Sequence, residues 1–322
     1  MGHRSAAKAD HIDEQAAKPF AWGVAFMHFL ATMNHIEPGI FIRHDPLGEP
    51  APVVFDSPHS GAIYPADFGY ACPSRLLRQA EDAHVDVLFG AAPQAGATLI
   101  AALFPRSYID VNRAVEDIDQ QLLDQPWPGP VSTSDRARVG MGLVRRICRP
   151  GLSMYDRKLS VAEIRQRIER YYRPYHRAVA DAIDQASGRF GAVWHVNCHS
   201  MPSSRGPRLP TGGWERADFV LGDRDGTTCG IGFRRLVQGT LERLGYDVRI
   251  NDPYKGVELV RRFGQPHLGR HSLQIEVNRR LYMNEETLVP TEGFAPLKRD
   301  LDLLALAISA YARDQLTAAA AD

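Results

Sequence analysis

Three polar clusters stand where short apolar runs give out. His59 lies in Ser57-Pro58-His59-Ser60-Gly61, His199 in Cys198-His199-Ser200-Met201, and Glu276 within Leu273-Gln274-Ile275-Glu276-Val277-Asn278. A fourth cluster, Glu81-Asp82-Ala83-His84-Val85-Asp86, repeats a polar residue about once per helical turn. Two imidazoles and a carboxylate are the ligand set of a hydrolytic zinc site, with the fourth position left to water. Zinc lowers the pKa of such a water toward about 7 and polarises a scissile carbonyl. A separate carboxylate can take the water's proton and pass it to a leaving amine. Glu276 suits that role, because an apolar strand holds it rigid and partly desolvated. These residue types point to a soluble, metal-dependent amide hydrolase.

Each group also has a plainer use. The chain has 12 histidines, and one taken alone is more often a surface or core residue than a ligand. The Glu81–Asp86 run also fits the solvated face of an amphipathic helix, and Glu276 has Arg279 and Arg280 at hand as ion-pair partners. Cys198 beside His199 could serve as a nucleophile, but a free cysteine ending a strand is more often a small core residue.

The elements that carry these groups follow from periodicity. Val53-Val54-Phe55 is a buried strand emptying into the turn-rich stretch around His59. Ser74 caps a helix expected over residues 75–92, with Leu76, Leu77, Ala80, Val87 and Leu88 near helical spacing. Strands follow at 97–103 and 107–111. Residues 117–150 are rich in Pro, Gly and Asp without sustained periodicity, and read as a long loop or small insertion, a common form for lids. A helix over 160–185 carries Pro174, so a kink or break is expected at Tyr172-Arg173-Pro174. A strand at 192–197 leads into His199. Further strands are expected at 219–221, 247–250 and 272–277, with helices at 231–244 and 296–318. Strands alternating with helices give a layered α/β sheet, and ligands collect at the carboxyl edge of such sheets. No internal repeat or low-complexity linker divides the chain, so residues 41–322 read as one domain, with 1–40 an N-terminal extension.

Composition narrows the partners. Lys+Arg and Asp+Glu balance at 38 each, which offers no basic excess for a nucleic acid and no charged membrane-binding surface. No stretch reaches the roughly 20 apolar residues of a membrane span. The segment 20–33 loosely resembles a signal-peptide apolar region, but His28 interrupts it and Met33 offers an alternative start. The four cysteines, Cys72, Cys148, Cys198 and Cys229, form no CxxC pair and read as reduced thiols of a cytoplasmic protein. A small-molecule enzyme, monomeric or a small homo-oligomer, is the default.

A series of short motifs runs along the chain: Ser57–Gly61, Asp82-x-His84-Val85-Asp86-x-Leu88, Arg106-Ser107-Tyr108-Ile109-Asp110-Val111-Asn112-Arg113 and Tyr172-Arg173-Pro174-Tyr175-His176. It continues through Cys198-His199-Ser200-Met201, Leu221-Gly222-Asp223, Leu273–Glu276 and Tyr282-Met283-Asn284-Glu285. In that order they resemble the N-formylglutamate amidohydrolases (N-formylglutamate deformylases) of histidine degradation. The resemblance implies a three-layer α/β sandwich with a central mixed, mostly parallel sheet, similar to zinc-dependent exopeptidases (phosphorylase/hydrolase-like). It also implies one divalent metal, Zn2+, held by His59, His199 and a carboxylate of the Glu81-Asp82 pair. Related amidases place a Glu where Glu81 stands. Deformylases commonly read Asp-Thr-Asp-Trp-His, which sets their second Asp on Asp82, so Asp82 is preferred. The order of the related amidases places the catalytic Glu on Glu276.

The implied substrate is a small acidic N-acyl amino acid. Its two carboxylates call for cations, and the planar arginine fork suits them. Arg106 and Arg113 are expected to bind them, with Asn112 donating a hydrogen bond; the alternative is that one arginine pairs with Asp110 or Asp117. Arg205 and Arg208 are second-rank binders. The chain departs from the family's frequent Asp-Ala-His-Ser in reading Asn197-Cys198-His199-Ser200, and residues 117–150 match nothing recognisable. The acyl group therefore stays open. Rival readings are a peptide or cell-wall amidase and a non-catalytic acyl-amino-acid-binding relative.

Overall fold

The structure, a computed structural model, describes residues 34–203 and 217–319. Arg205 and Arg208, the segment 20–33 and most of the extension drawn over 1–40 lie outside the described residues.

Ten strands are described: β1 (Asn34–Glu37), β2 (Phe41–His44), β3 (Val53–Ser57), β4 (Thr98–Ala102), β5 (Ile147–Arg149), β6 (Leu152–Ser153), β7 (Val193–Met201), β8 (Phe219–Gly222), β9 (Val248–Ile250) and β10 (Arg270–Asn278). Eight form one sheet in the order β1-β2-β4-β3-β7-β10-β8-β9, and β5 and β6 form a separate ribbon. The pairings β3–β4, β3–β7, β7–β10 and β8–β9 are parallel and the other three antiparallel, so the sheet is mixed and mostly parallel.

Side chains alternate between the two faces of a strand, and the sequence exploits this unevenly. Trp194, Val196 and Cys198 of β7, with Leu273, Ile275 and Val277 of β10, join one apolar core. Helices Ile231–Arg243 and Phe294–Ala319 complete it through Phe233, Val237, Leu301 and Leu304. The opposite face carries the intervening residues: His195, Asn197 and His199 on β7, and Ser272, Gln274 and Glu276 on β10, all buried. Helices Val161–Arg167 and Arg173–Phe190 cover that face with Ile164, Tyr175, Val179 and Ile183. The result is the three-layer α/β arrangement.

Three local expectations change, and the break expected ahead of Pro174 is present. The helix expected over 75–92 is two short turns, Ser74–Arg78 and Val85–Leu88, interrupted where His84 takes φ 65°. A left-handed residue of this kind cannot continue a helix. The strand expected at 107–111 is a chain of turns: Tyr108 N–H donates to Pro105 O, and Arg113 N–H to Asp110 O. Its apolar residues Tyr108, Ile109 and Val111 are buried nonetheless. The strand expected to end at 197 runs on to Met201, so His199 lies within β7 rather than in the loop after it. At Tyr172-Arg173-Pro174 the helix changes register through a π-turn, Ile168–Tyr172. Pro174 lacks the N–H that a continuous ladder needs, and a π-turn just ahead of it absorbs the loss. Upstream, Ser160 and Glu163 close a capping box that fixes where this helix starts.

Residues 117–150 are more than a surface loop. Ile118, Leu122, Leu123, Leu143 and Val144 are buried in the second core, and Ser134 caps the short helix Asp135–Arg138.

Candidate active site

β3 ends two residues before His59, and the turn after it is pressed against the chain leaving β4. A Cβ on Gly61 would lie 2.3 Å from Phe104 O, so only glycine fits there. From this turn the His59 carbonyl accepts the Asp82 N–H at 2.9 Å. That bond holds the non-helical segment Glu81–His84 over the sheet edge and brings Asp82 beside His59. His199 comes up from β7, directly opposite Glu276 of β10 in the strand register.

Both imidazoles present Nδ1 to one carboxylate oxygen. Asp82 Oδ2 lies 3.0 Å from His199 Nδ1 and 3.4 Å from His59 Nδ1. The three ligand-capable atoms lie within 4.8 Å of one another, and all three residues are buried. Among the described residues, His59 Nδ1 is buried without a hydrogen-bond partner. The other ring nitrogens are fixed from behind. His59 Nε2–H donates to Asp110 Oδ1 at 2.7 Å, and His199 Nε2–H to Asn197 Oδ1 at 2.8 Å. Those bonds leave a lone pair on each Nδ1. Arg279 Nη2 donates to Asp82 Oδ1 at 2.9 Å, so Oδ2 is the oxygen left to the centre. An orphaned buried nitrogen, a second lone pair and a carboxylate oxygen converging in this way fit a divalent cation, and the bonds behind the imidazoles are those that orient metal-binding histidines.

The electrostatics agree with this arrangement. Burial opposes ionisation of Asp82, but the polar contacts of the His199 and His59 rings and the Arg106 cation outweigh it and hold its carboxyl well below the usual range. Asp110 is likewise held low against burial, by Arg106 and His59. Glu276 goes the other way: burial raises its pKa, and the neighbouring Asp82 adds to the rise, against the opposing His199 and Arg106. Of Asp82, Asp110 and Glu276, Glu276 is the one whose pKa is raised.

The group opens onto a cleft of about 390 Å³, within the range of small-ligand pockets. Asp82, His59, His199, Glu276, Arg106, Asn112 and Arg113 all line it or sit in its wall. Glu81 is not brought to the centre: its Oε1 accepts from Tyr64 Oη at 2.6 Å and pairs with Arg78 at 3.3 Å. Arg106 donates to Asp110 Oδ2 at 2.8 Å and approaches Asp82 at 3.7 Å, so it is the arginine with a structural carboxylate partner. Asn112 accepts from Leu259 N–H with Oδ1 and places Nδ2 3.0 Å from His199 Nε2. Arg113 stands 3.9 Å from Asp110. Glu276 accepts from Gln274 Nε2 at 2.8 Å, while Arg280, its possible ion-pair partner, reaches Asp218 at 2.7 Å. Cys198 lies on the opposite sheet face, fully buried, and burial pushes its thiol far up. It is core.

Sequence reasoning passed over Arg145, gave Arg279 and Asp110 no part beyond an ion pair, and met Asn197 only as a departure from the family's pattern. Asp110 had a signal, since it sits between Arg106 and Asn112. Arg145 had none.

Comparison with known proteins agrees in extent. The sequence family described as N-formylglutamate amidohydrolase matches residues 51–283. The N-formylglutamate deformylase of Pseudomonas aeruginosa is 28% identical over 241 residues, which is 73% of this chain and 83% of that protein. The Pseudomonas putida N-formylglutamate deformylase is 27% identical over 242 residues, covering 73% and 82%. The crystal structure of N-formylglutamate amidohydrolase from Ralstonia eutropha JMP134 superposes with a TM-score of 0.82 at 50% identity, over 86% of this chain and 99% of that one. Among the described residues, no helix is long and apolar enough to cross a membrane.

Proposed function

The chain belongs to the N-formylglutamate amidohydrolase family, and from that premise we propose that it hydrolyses the N-formyl amide of N-formyl-L-glutamate or a similar acidic N-acyl amino acid. The products are formate and the free amino acid. The observation that carries this reading is the convergence of His59, Asp82 and His199 beside Glu276, in a cleft lined with arginines.

His59 Nδ1, Asp82 Oδ2 and His199 Nδ1 would hold one divalent cation, zinc being the natural choice for this donor set. When bound, such a cation supplies a Lewis acid for the amide carbonyl and makes water a usable nucleophile near neutral pH. The rest falls to the protein's own side chains. Asp110 and Asn197 hold the two imidazoles in the required tautomer, and Arg279 orients Asp82. Glu276 takes a proton as water adds to the formyl carbon. It returns that proton to the nitrogen as the C–N bond breaks, so the amine leaves neutral. Burial raises its pKa, which strengthens the carboxylate as a base for the first transfer. Arg113 faces the cleft to receive a substrate carboxylate.

A panel of N-formyl, N-acetyl and N-succinyl amino acids, assayed with and without added zinc, tests the reading. N-formyl-L-glutamate is expected to head the panel, with turnover only in the zinc-loaded enzyme. A preference for N-acetyl or N-succinyl substrates would reassign the acyl pocket, and hydrolysis of none would remove the function.

A further inference from the structure

A dicarboxylate substrate needs two cationic receptors, and the cleft's cations are not equally available. Six are found among the described lining residues: Arg106, Arg113, Arg136, Arg145, Lys255 and Arg279. Arg279 is held by Asp82, Ser200 and two backbone carbonyls. Arg106 is paired with Asp110, Lys255 reaches Asp225 at 2.9 Å, and Arg136 is exposed.

Arg145 is partly buried and shares with Arg113 an unpartnered Nε, but lacks the Asp110 contact that Arg113 has at 3.9 Å. Among the described residues it has no carboxylate within salt-bridge distance, and its Nε is buried with no hydrogen-bond partner. Burial, together with the Arg106 and Arg113 cations nearby, pulls its guanidinium down to about 9. A half-buried cation beside other cations is costly to keep, and an arriving carboxylate would relieve that cost.

The backbone that carries Arg145 is fixed. Leu143 O accepts the Asp110 N–H at 2.8 Å, and Leu143 N–H donates to Asp117 O at 2.8 Å. Met141 and Arg145 pair across a bridge. Between them, a Cβ on Gly142 would fall 2.6 Å from Asp117 O, which demands glycine there. On the far side, Arg146 Nε donates to Asp119 at 2.6 Å. Through Leu143, the Arg145 bend is tied to the same Asp110 that orients His59. Such rigidity is what a specificity contact requires.

We infer that Arg145 is the specificity-determining residue that receives the side-chain carboxylate of the substrate, while Arg113 receives the α-carboxylate. The division follows from position. Arg113 adjoins Asn112, which touches His199, so it serves the carboxylate attached next to the scissile nitrogen. Arg145 comes from residues 117–150 and serves the carboxylate further along the substrate chain. The inference rests on the function proposed above and names the feature that makes the site select acidic substrates.

The test compares zinc-loaded wild type, Arg145→Met and Arg145→Lys on N-formyl-L-glutamate and N-formyl-L-glutamine. These substrates differ only in the side-chain carboxylate. In Arg145→Met, kcat/KM for the glutamate substrate should fall by about 30- to 100-fold, chiefly through KM, as expected when a charged hydrogen-bonded contact is lost. The glutamine substrate should change by less than about threefold, and Arg145→Lys should lie between. Metal content and the unfolding midpoint are measured for each variant, so that misfolding is recognised. Equal losses on both substrates, or no loss on either, would overturn the inference. Should wild type hydrolyse neither substrate, the proposed function fails instead, and calorimetric binding of L-glutamate against L-glutamine still decides the role of Arg145. Glutamate affinity lost only in Arg145→Met supports it, and affinity unchanged overturns it.

Discussion

Glu276 stands directly opposite His199 in the register of two adjacent parallel strands, β10 and β7. Both side chains leave the same face of the sheet, because their neighbours Ile275, Val277 and Cys198 are buried in the core on the other face. A slip of one residue would exchange these sets and bury Glu276 among apolar side chains. The spacing of the metal-ligand candidate His199 and the proposed proton carrier Glu276 is thus set by main-chain pairing over nine residues of each strand.

The first consequence concerns Glu276 itself. Glu276→Gln keeps shape and hydrogen bonding but cannot carry a proton. Its kcat on N-formyl-L-glutamate should drop by about 10²- to 10⁴-fold, with bound metal and KM nearly unchanged. Wild-type turnover in this variant would remove Glu276 from the chemistry.

Asp82 and Glu81 are adjacent in sequence and differ in surroundings. Asp82 faces both imidazoles, whereas Glu81 is held by Tyr64 and Arg78. Elemental analysis after dialysis should find Asp82→Asn depleted of metal and Glu81→Gln fully loaded. The reverse pattern would move the ligand to Glu81.

Asp110 acts on the centre through His59, whose Nε2–H it accepts at 2.7 Å. Removal of a carboxylate in this position typically weakens metal binding about 10- to 100-fold. Chelator competition should show a loss of that size in Asp110→Asn, before any activity is measured. An unchanged affinity would leave Asp110 only its ion pair with Arg106.

Asp56 lies beneath the site and links it to the sheet. It accepts from His195, Asn197 and Tyr175 at 2.9, 2.8 and 2.8 Å, and Asn197 in turn accepts from His199. Burial opposes its ionisation, but these bonds prevail and lower its pKa in the folded protein. A lowered folded pKa means the stabilisation is fully present above the unfolded value of about 3.9 and is lost as pH falls through the folded one. Metal-free wild type should therefore exceed Asp56→Asn by on the order of 3 kcal/mol at pH 7, and the gap should narrow below about pH 4. Urea unfolding at both pH values measures it. A gap independent of pH would mean that the charge of Asp56 contributes nothing.

Much of this was legible from local pattern. The strands bearing His59, His199 and Glu276 announced themselves because apolar residues alternate or cluster just ahead of each. The segment holding Asp82 departs from its local pattern. Leu76, Leu77, Ala80, Val87 and Leu88 mimic helical spacing, while the real conformation is decided by the distant His59 carbonyl that accepts from Asp82. Tyr108, Ile109 and Val111 suggested a strand for a similar reason: they are buried, but Arg167 and His176 hold the intervening carbonyls of Tyr108 and Val111 in a turn. Arg145 was invisible. Its meaning comes from the bond between Asp110 and Leu143, which no spacing in residues 117–150 encodes.

Formate release from N-formyl-L-glutamate, followed as zinc is titrated into the metal-free protein, joins the cluster of His59, Asp82 and His199 to the chemistry most directly. Activity should rise from near zero and saturate at one zinc per chain. Full activity without metal, or binding of one zinc per chain with no formate released, would contradict a single zinc centre hydrolysing this amide.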